Sequence, residues 1–243
     1  MLAKNIKVVL FEFQNAIFRT LIKSEFVRQG NRDLIFVGND YSGYWFPEDL
    51  IELKGTIWGI GLGHDSSFEL ELLSKGYKVL GFEPEAECFK SSKNQFKGLD
   101  AELFNYGLWD KSGLFEYTGE NISLVNIFDK GDFREKKLEI RSLWEVAKKF
   151  DLSQNSPPKV LRMNIEGAEQ EILQRLCKEP LDFDAIVFQS EFIFHLPFKA
   201  FRKRFVAYGE LRRILKSYRK NNWVIVALIR NQFIMTKDDF INV

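Results

Sequence analysis

Apolar and polar positions recur along this chain in two periods, and the switches between them lay out an alternation of strands and helices. Over 6–26, Ile6, Leu10, Phe13, Ile17 and Leu21 share one face, while Lys7, Glu12, Arg19 and Lys23 lie largely elsewhere. That is the period of an amphipathic helix, and it predicts a helix packed on the domain by that face. A membrane-surface helix or a dimer-forming helix is the alternative reading. Short β-branched and aromatic runs at 34–37, 55–58, 78–82, 101–105, 159–165 and 185–188 predict strands. Between them, Phe68, Leu70, Leu72 and Leu73 fall at helical spacing, and further helices are predicted over 85–96, 143–150 and from 168 to 177. Ser142 is the expected cap of the 143–150 helix. Residues 198–220 read as mostly helical, and 223–229 with 232–235 as a closing antiparallel hairpin turning at Arg230-Asn231. Residues 114–117 read as a hairpin arm, 121–133 as a loop, and 153–158 as a turn-rich break inside one domain. The aromatic cluster Tyr44-Trp45-Phe46-Pro47 is expected to cover the core. Strands alternating with helices predict a parallel sheet with right-handed crossovers.

The stretch around which this order turns is Ile57-Trp58-Gly59-Ile60-Gly61-Leu62-Gly63-His64-Asp65-Ser66-Ser67. It reads as a buried strand, a glycine turn and a helix start near Asp65. A turn without side chains lets the backbone approach a ligand, and the exposed amides of the helix start face the same way. Some twenty residues later, Phe82-Glu83-Pro84 ends the next strand in a carboxylate. An acid at that distance is the usual partner of a ribose diol, so Gly59, Gly61, Gly63 and Glu83 together point to a nucleoside cofactor. His64 stands where a dinucleotide fingerprint needs its third glycine, which disfavours a nicotinamide-dependent oxidoreductase.

Composition narrows the picture. A chain of 243 residues with 45% apolar and 28% charged positions suits one large α/β domain. We divide it into an extension over 1–50, packed on a core over 51–243. The 24 phenylalanines read chiefly as core filling. Two cysteines, Cys88 and Cys177, form no disulfide framework or zinc pattern, and the two histidines with scattered acids make no recognisable metal set. The apolar run Val8-Val9-Leu10-Phe11 stops at Glu12, too short for a signal-peptide core, and 223–229 is strand length, so a cytoplasmic location is expected. The net charge of +1 argues against nucleic acid, and no RNA-binding motif is present. The charge is uneven, however: over 199–220 nine Lys and Arg face the single acid Glu210. The plain reading is a solvated helix face. The sharper one is peripheral contact with anionic membrane, on the inner face, or with a lipid-linked glycan.

A hairpin closing a parallel sheet suits a class I methyltransferase, and the motifs agree. Arg162-Met163-Asn164-Ile165-Glu166-Gly167-Ala168-Glu169 resembles the K-x-D-x-E-G-x-E signature of the FkbM-type methyltransferases. Tyr44-Trp45-Phe46-Pro47, Gly59-Ile60-Gly61 with Asp65 and Ser67-Phe68, and Phe82-Glu83-Pro84 resemble further segments of one branch of that family. The resemblance spans roughly 43–191. Arg162 stands where lysine is usual, Asn164 where aspartate is usual, and Trp58 where many members have an acid.

The resemblance implies a Rossmann-like class I methyltransferase sheet, mostly parallel, with a C-terminal antiparallel hairpin and helices on both faces. It implies S-adenosylmethionine as cofactor and O-methylation of a sugar hydroxyl in a glycan, glycolipid or related small molecule. The alternative is a weakly active or inactive binding module of the same fold, which Trp58 and Asn164 keep open. Within this picture Gly59, Gly61 and Gly63 pass beside the cofactor's methionine end, Ser67 reaches its carboxylate, and Glu83 holds the ribose. Asn105 neighbours the adenine, Asn164 lines the cofactor site, and Asp65 either caps its helix or joins the site. Glu166 meets the acceptor or the cofactor ammonium, while Glu191 or His195 is the candidate base. His64 is read as structural and no metal is assigned.

Overall fold

A computed structural model describes residues 2–26, 33–117, 136–150, 158–165, 168–190 and 201–237. In chain order the elements are α1 (Leu2–Phe26), β1 (Leu34–Val37), β2 (Tyr44–Pro47), α2 (Glu48–Glu52), β3 (Thr56–Ile60), α3 (Ser67–Ser74), β4 (Lys78–Phe82) and α4 (Ala86–Gln95). There follow β5 (Ala101–Phe104), β6 (Gly107–Trp109), β7 (Gly113–Tyr117), β8 (Lys136–Ser142), α5 (Leu143–Ala147), β9 (Lys159–Met163) and α6 (Glu169–Leu176). The chain continues through β10 (Ala185–Gln189), α7 (Phe201–Lys220), β11 (Trp223–Ile229) and β12 (Gln232–Lys237).

Seven strands form the main sheet in the order β5-β4-β3-β9-β10-β12-β11. The pairings β5–β4, β4–β3, β3–β9 and β9–β10 are parallel, whereas β12 runs antiparallel to both β10 and β11. Counted along the chain, the sheet reads 3-2-1-4-5-7-6 with the seventh strand reversed. The first five strands are doubly wound about a switch point between β3 and β9. The reversed strand inserted beside the fifth makes this the class I methyltransferase arrangement.

Alternate residues of each strand enter different cores, as pleating requires. Trp58, Ile60, Phe82, Leu161, Met163, Ile186 and Phe188 face one core with α1, α5, α6 and α7. Ile57, Val79, Val160, Ala185 and Val187 face the other, where α3 and the β1–β2 hairpin contribute Phe68, Leu72, Tyr44 and Phe46. Trp58 is fully buried, with Phe82 stacked 5.4 Å away and the edges of Phe150 and Phe183 at 5.4 and 5.7 Å. Its ring is wholly taken up in packing. The Tyr44–Pro47 cluster is a strand, β2, that pairs with β1 and seals the other core, with the Phe46 ring 5.9 Å from Phe68.

Besides β2, the short α2 and β6 depart from the sequence expectation, and two larger departures concern α1 and β8. Helix α1 forms, but its buried side is Phe18, Ile22 and Phe26, while Phe13, Ile17 and Leu21 remain exposed. Two apolar stripes run along this helix, and its neighbours, α7 and β11, cover only one. The second departure is β8, whose Leu138 and Ile140 are buried while Lys137 and Glu139 are exposed. It joins β6 in parallel and β7 antiparallel in a separate three-stranded sheet. The expected loop over 121–133 and the break over 153–157 lie outside the described residues. Among those described, no helix is long and apolar enough to cross a membrane.

Because the Trp58 ring is enclosed by three aromatic neighbours, Trp58→Ala should lower unfolding free energy by about 3–5 kcal/mol in urea titration. A loss under about 1 kcal/mol would mean the ring is not part of the core.

Candidate functional site

The carboxyl ends of β3, β4, β5 and β9 meet at the switch point, where open α/β sheets bind ligands. The turn after β3 is stitched to both neighbours: Gly61 N donates to Phe82 O at 2.9 Å, and Asn164 N donates to Ile60 O at 3.0 Å. Gly61 has φ +77°, and a Cβ there would lie 2.2 Å from Asn164 O. Only glycine meets both demands. At Gly63 the reverse holds, since its φ is +64° but a Cβ would meet nothing within 4 Å. The turn is therefore crowded on its sheet side and open at Gly63.

Glu83, the residue after β4, faces this turn. Its Oε2 accepts from Gly63 N at 2.8 Å and its Oε1 from Glu85 N at 2.9 Å. The side chain is buried, and burial pushes its carboxyl up, against the two amide hydrogen bonds that favour the charged form. A carboxylate offers about four acceptor positions, so two remain for a vicinal diol. Asn105, following β5, donates from Nδ2 to Glu83 O at 3.0 Å and so holds the end of β4. Gly61, Gly63, Glu83, Asn105 and Asn164 are thus brought together, in an arrangement that fits the ribose end of a nucleoside cofactor, whereas Gly59, expected beside them, lies within β3 with its open side against Glu69.

Ser67 lies elsewhere in the scheme. Its Oγ accepts from Asn39 N at 3.0 Å and sits 2.9 Å from Ser42 Oγ. Asp65 accepts from Ser67 N at 2.9 Å, from Ser42 Oγ at 2.9 Å and from Asn39 Nδ2 at 2.6 Å. These bonds hold the carboxyl below its usual range against a burial cost. Asp65 therefore accepts the first amide of α3 from one residue ahead of the N-cap Ser66, and ties the helix to the β1–β2 loop. Glu169 is buried in the first turn of α6 and accepts from Ile165 N at 3.0 Å, closing the turn after β9. His64 Nε2 lies 3.4 Å from Cys88 Sγ, and its carbonyl accepts from Gln95 Nε2 at 2.8 Å. Glu166, Glu191 and His195 lie outside the described residues. Among the described residues no cluster of three or more His, Cys, Asp or Glu side chains is arranged to hold a metal. A cavity of about 360 Å³ lined by Phe26, Leu215, Tyr218 and Trp223 lies at the β11 edge, away from these strand ends.

Sequence reasoning missed the support beneath the turn. Arg162, on β9, is fully buried; its Nη1 donates to Gly61 O at 2.7 Å and lies 3.3 Å from Glu69 Oε1 of α3. Its guanidinium carbon is 5.0 Å from the Tyr44 ring centroid. Burial pulls against the arginine charge, but Glu69, Tyr44 and Glu83 hold its pKa above the ordinary value. Gly59 makes room for the pair, since a Cβ there would lie 2.8 Å from Glu69 Oε1. The available signal was an acid in an apolar helix face together with an arginine inside an apolar strand. A second omission is the α4 side, where Ser92 Oγ donates to Gly63 O at 3.1 Å.

The topology is that of the class I methyltransferase fold, and the candidate site lies at its switch point. No protein-family model matches the chain, and no curated protein matches it. Among solved structures it is similar to the ribosomal protein L11 methylase of Lactobacillus delbrueckii subsp. bulgaricus, at 12% identity over 75% of this chain and 69% of that one, TM-score 0.37. It is also similar to monomeric WbdD, at 10% identity over 97% of this chain and 41% of that one, TM-score 0.43. A third is a precorrin-6y C5,15-methyltransferase of Geobacter metallireducens GS-15, at 11% identity over 77% and 84%, TM-score 0.36. Likenesses this distant carry no argument; the strand order and the strand-end geometry stand on their own.

Replacing Arg162 by Met leaves Glu69 buried without its partner and should cost about 3–5 kcal/mol in chemical denaturation. Gly61→Ala meets both a carbonyl and a left-handed backbone, and should cost at least about 1–2 kcal/mol.

Proposed function

We propose that the chain transfers a methyl group from S-adenosylmethionine to an oxygen of a small acceptor, in the finer reading a sugar hydroxyl of a glycan or glycolipid. The observation that carries the cofactor assignment is the buried Glu83 carboxylate set against the open side of the turn at Gly63. Glu83 would accept the ribose hydroxyls, Gly61 and Gly63 would let the backbone run beside the methionine portion, and Asn105 and Asn164 would flank the adenine and the switch point. When bound, the cofactor supplies an electrophilic methyl group. What the protein contributes is alignment and removal of the acceptor's proton. The resemblance to the FkbM-type family supports the oxygen acceptor and assigns its contacts to Glu166, with Glu191 or His195 as base. The side chain of Trp58 is spent on packing, so its identity does not speak for an inactive module.

Calorimetric titration with S-adenosylmethionine and S-adenosylhomocysteine, with NADH as control, tests the cofactor. Micromolar binding of the first two alone is expected, and binding of NADH alone would overturn the assignment. Glu83→Gln should keep the fold and weaken cofactor binding by about 1–3 kcal/mol. Unchanged affinity in that variant would remove Glu83 from the ribose. Because its carboxyl is pushed up, Glu83 gains its proton above the ordinary glutamate range of about 4.3. Affinity should therefore fall as pH drops through that raised pKa, and the Gln variant should not show this step.

A further inference from the structure

We infer that α1 and α7 together form a surface that docks on an anionic lipid bilayer. The starting observation is the unused stripe of α1. Phe13, Ile17 and Leu21 recur at every fourth position and so line one side of the helix; they are 63%, 41% and 46% exposed. The other stripe already makes the internal contact. The Phe18 ring lies 5.2 Å from Phe205 and 5.0 Å from Tyr208 of α7. Further along, Glu25 pairs with Arg212 at 2.5 Å and with Lys216 at 3.5 Å. The contacts advance in the same direction on both helices, which therefore lie side by side and parallel. On α7, Phe205 and Val206 are also exposed.

The charge beside these apolar groups selects the occupant. Lys203, Arg212, Arg213, Lys216, Arg219 and Lys220 are all exposed on α7. The acids here are engaged: Glu12 by Arg19 at 3.7 Å, Glu25 by its two cations, and Glu210 by Gln170 Nε2 at 2.6 Å. The chain as a whole is near neutral, so concentrating nine basic residues in 199–220 leaves the remainder net acidic. A field of this shape turns one face towards an anionic surface and the others away from it. Exposed Phe, Ile and Leu beside cations are the composition of an interfacial helix, whose apolar side enters the headgroup boundary. A second copy on a two-fold axis would set these cations against each other. A nucleic acid would leave the apolar stripe without a partner.

The test is co-sedimentation of the full chain with phosphatidylcholine vesicles, with or without an equal part of phosphatidylglycerol. Binding to the anionic vesicles alone, released by salt, is expected. Ile17→Ser with Leu21→Ser, and separately Arg213→Glu with Lys220→Glu, should each reduce the partition at least about tenfold, with an unchanged circular dichroism spectrum. Failure to bind, equal binding to neutral vesicles, or binding untouched by both pairs would overturn the inference. So would a dimer in sedimentation velocity that the serine pair dissociates, with no vesicle binding. Neither pair lies near the strand ends, so S-adenosylmethionine titration of the same variants is unchanged and the two readings fail separately.

Discussion

The buried Arg162–Glu69 pair is the interaction on which the site depends. A charge with no exposed surface is tolerated only when its partners are fixed, because desolvation otherwise exceeds the attraction. Here the arginine rises from β9, the central strand beside the switch point, and gives one hydrogen to the Gly61 carbonyl while facing a carboxylate from α3. One side chain thereby joins the strand after the crossover, the turn after the first sheet strand, and the helix that the turn feeds. The absence of a side chain at Gly59 belongs to the same arrangement, since any Cβ would intrude on Glu69.

The turn is clamped from both flanks as well as from below. On one side Asp65 and Ser67 are bound to Asn39 and Ser42 in the β1–β2 loop, whose own shape is set by Asn39 Oδ1 accepting from Tyr41 N and Ser42 N. On the other, Ser92 and Gln95 of α4 donate to the carbonyls of Gly63 and His64. The N-terminal hairpin is thus part of the support of the site and not an appendage. A turn fixed on three sides presents its amides and the facing Glu83 at little cost of reorganisation, which is what ligand binding at a strand end requires.

The parallel helix pair has a different character. It buries one apolar stripe, leaves another in solvent, and over 199–220 sets nine of the chain's 35 Lys and Arg against the single acid Glu210. It covers the core face opposite to α3, so this charge and the glycine turn are carried on separate elements.

Much of the fold was legible in the residues. Five parallel strands, the closing hairpin and a helix start within two residues of Asp65 follow from local periodicity and turn chemistry, which act over a few residues. The glycine turn and the acid of Glu83 were readable for the same reason, because a strand-end ligand site is built from two short segments at a characteristic spacing. Strand β8 carries an equally local signal, Leu138 and Ile140 alternating against Lys137 and Glu139, but only two apolar positions mark it. What the sequence by itself determined was therefore the order of elements, the parallel class of the sheet and the position of the turn. Only the tertiary structure decided which stripe of α1 is buried, that Ser67 serves the hairpin loop, and that Arg162 belongs beneath Gly61 with Glu69. Each of these depends on a neighbour distant in the chain, and helical or strand period says which residues share a face without saying what that face will meet.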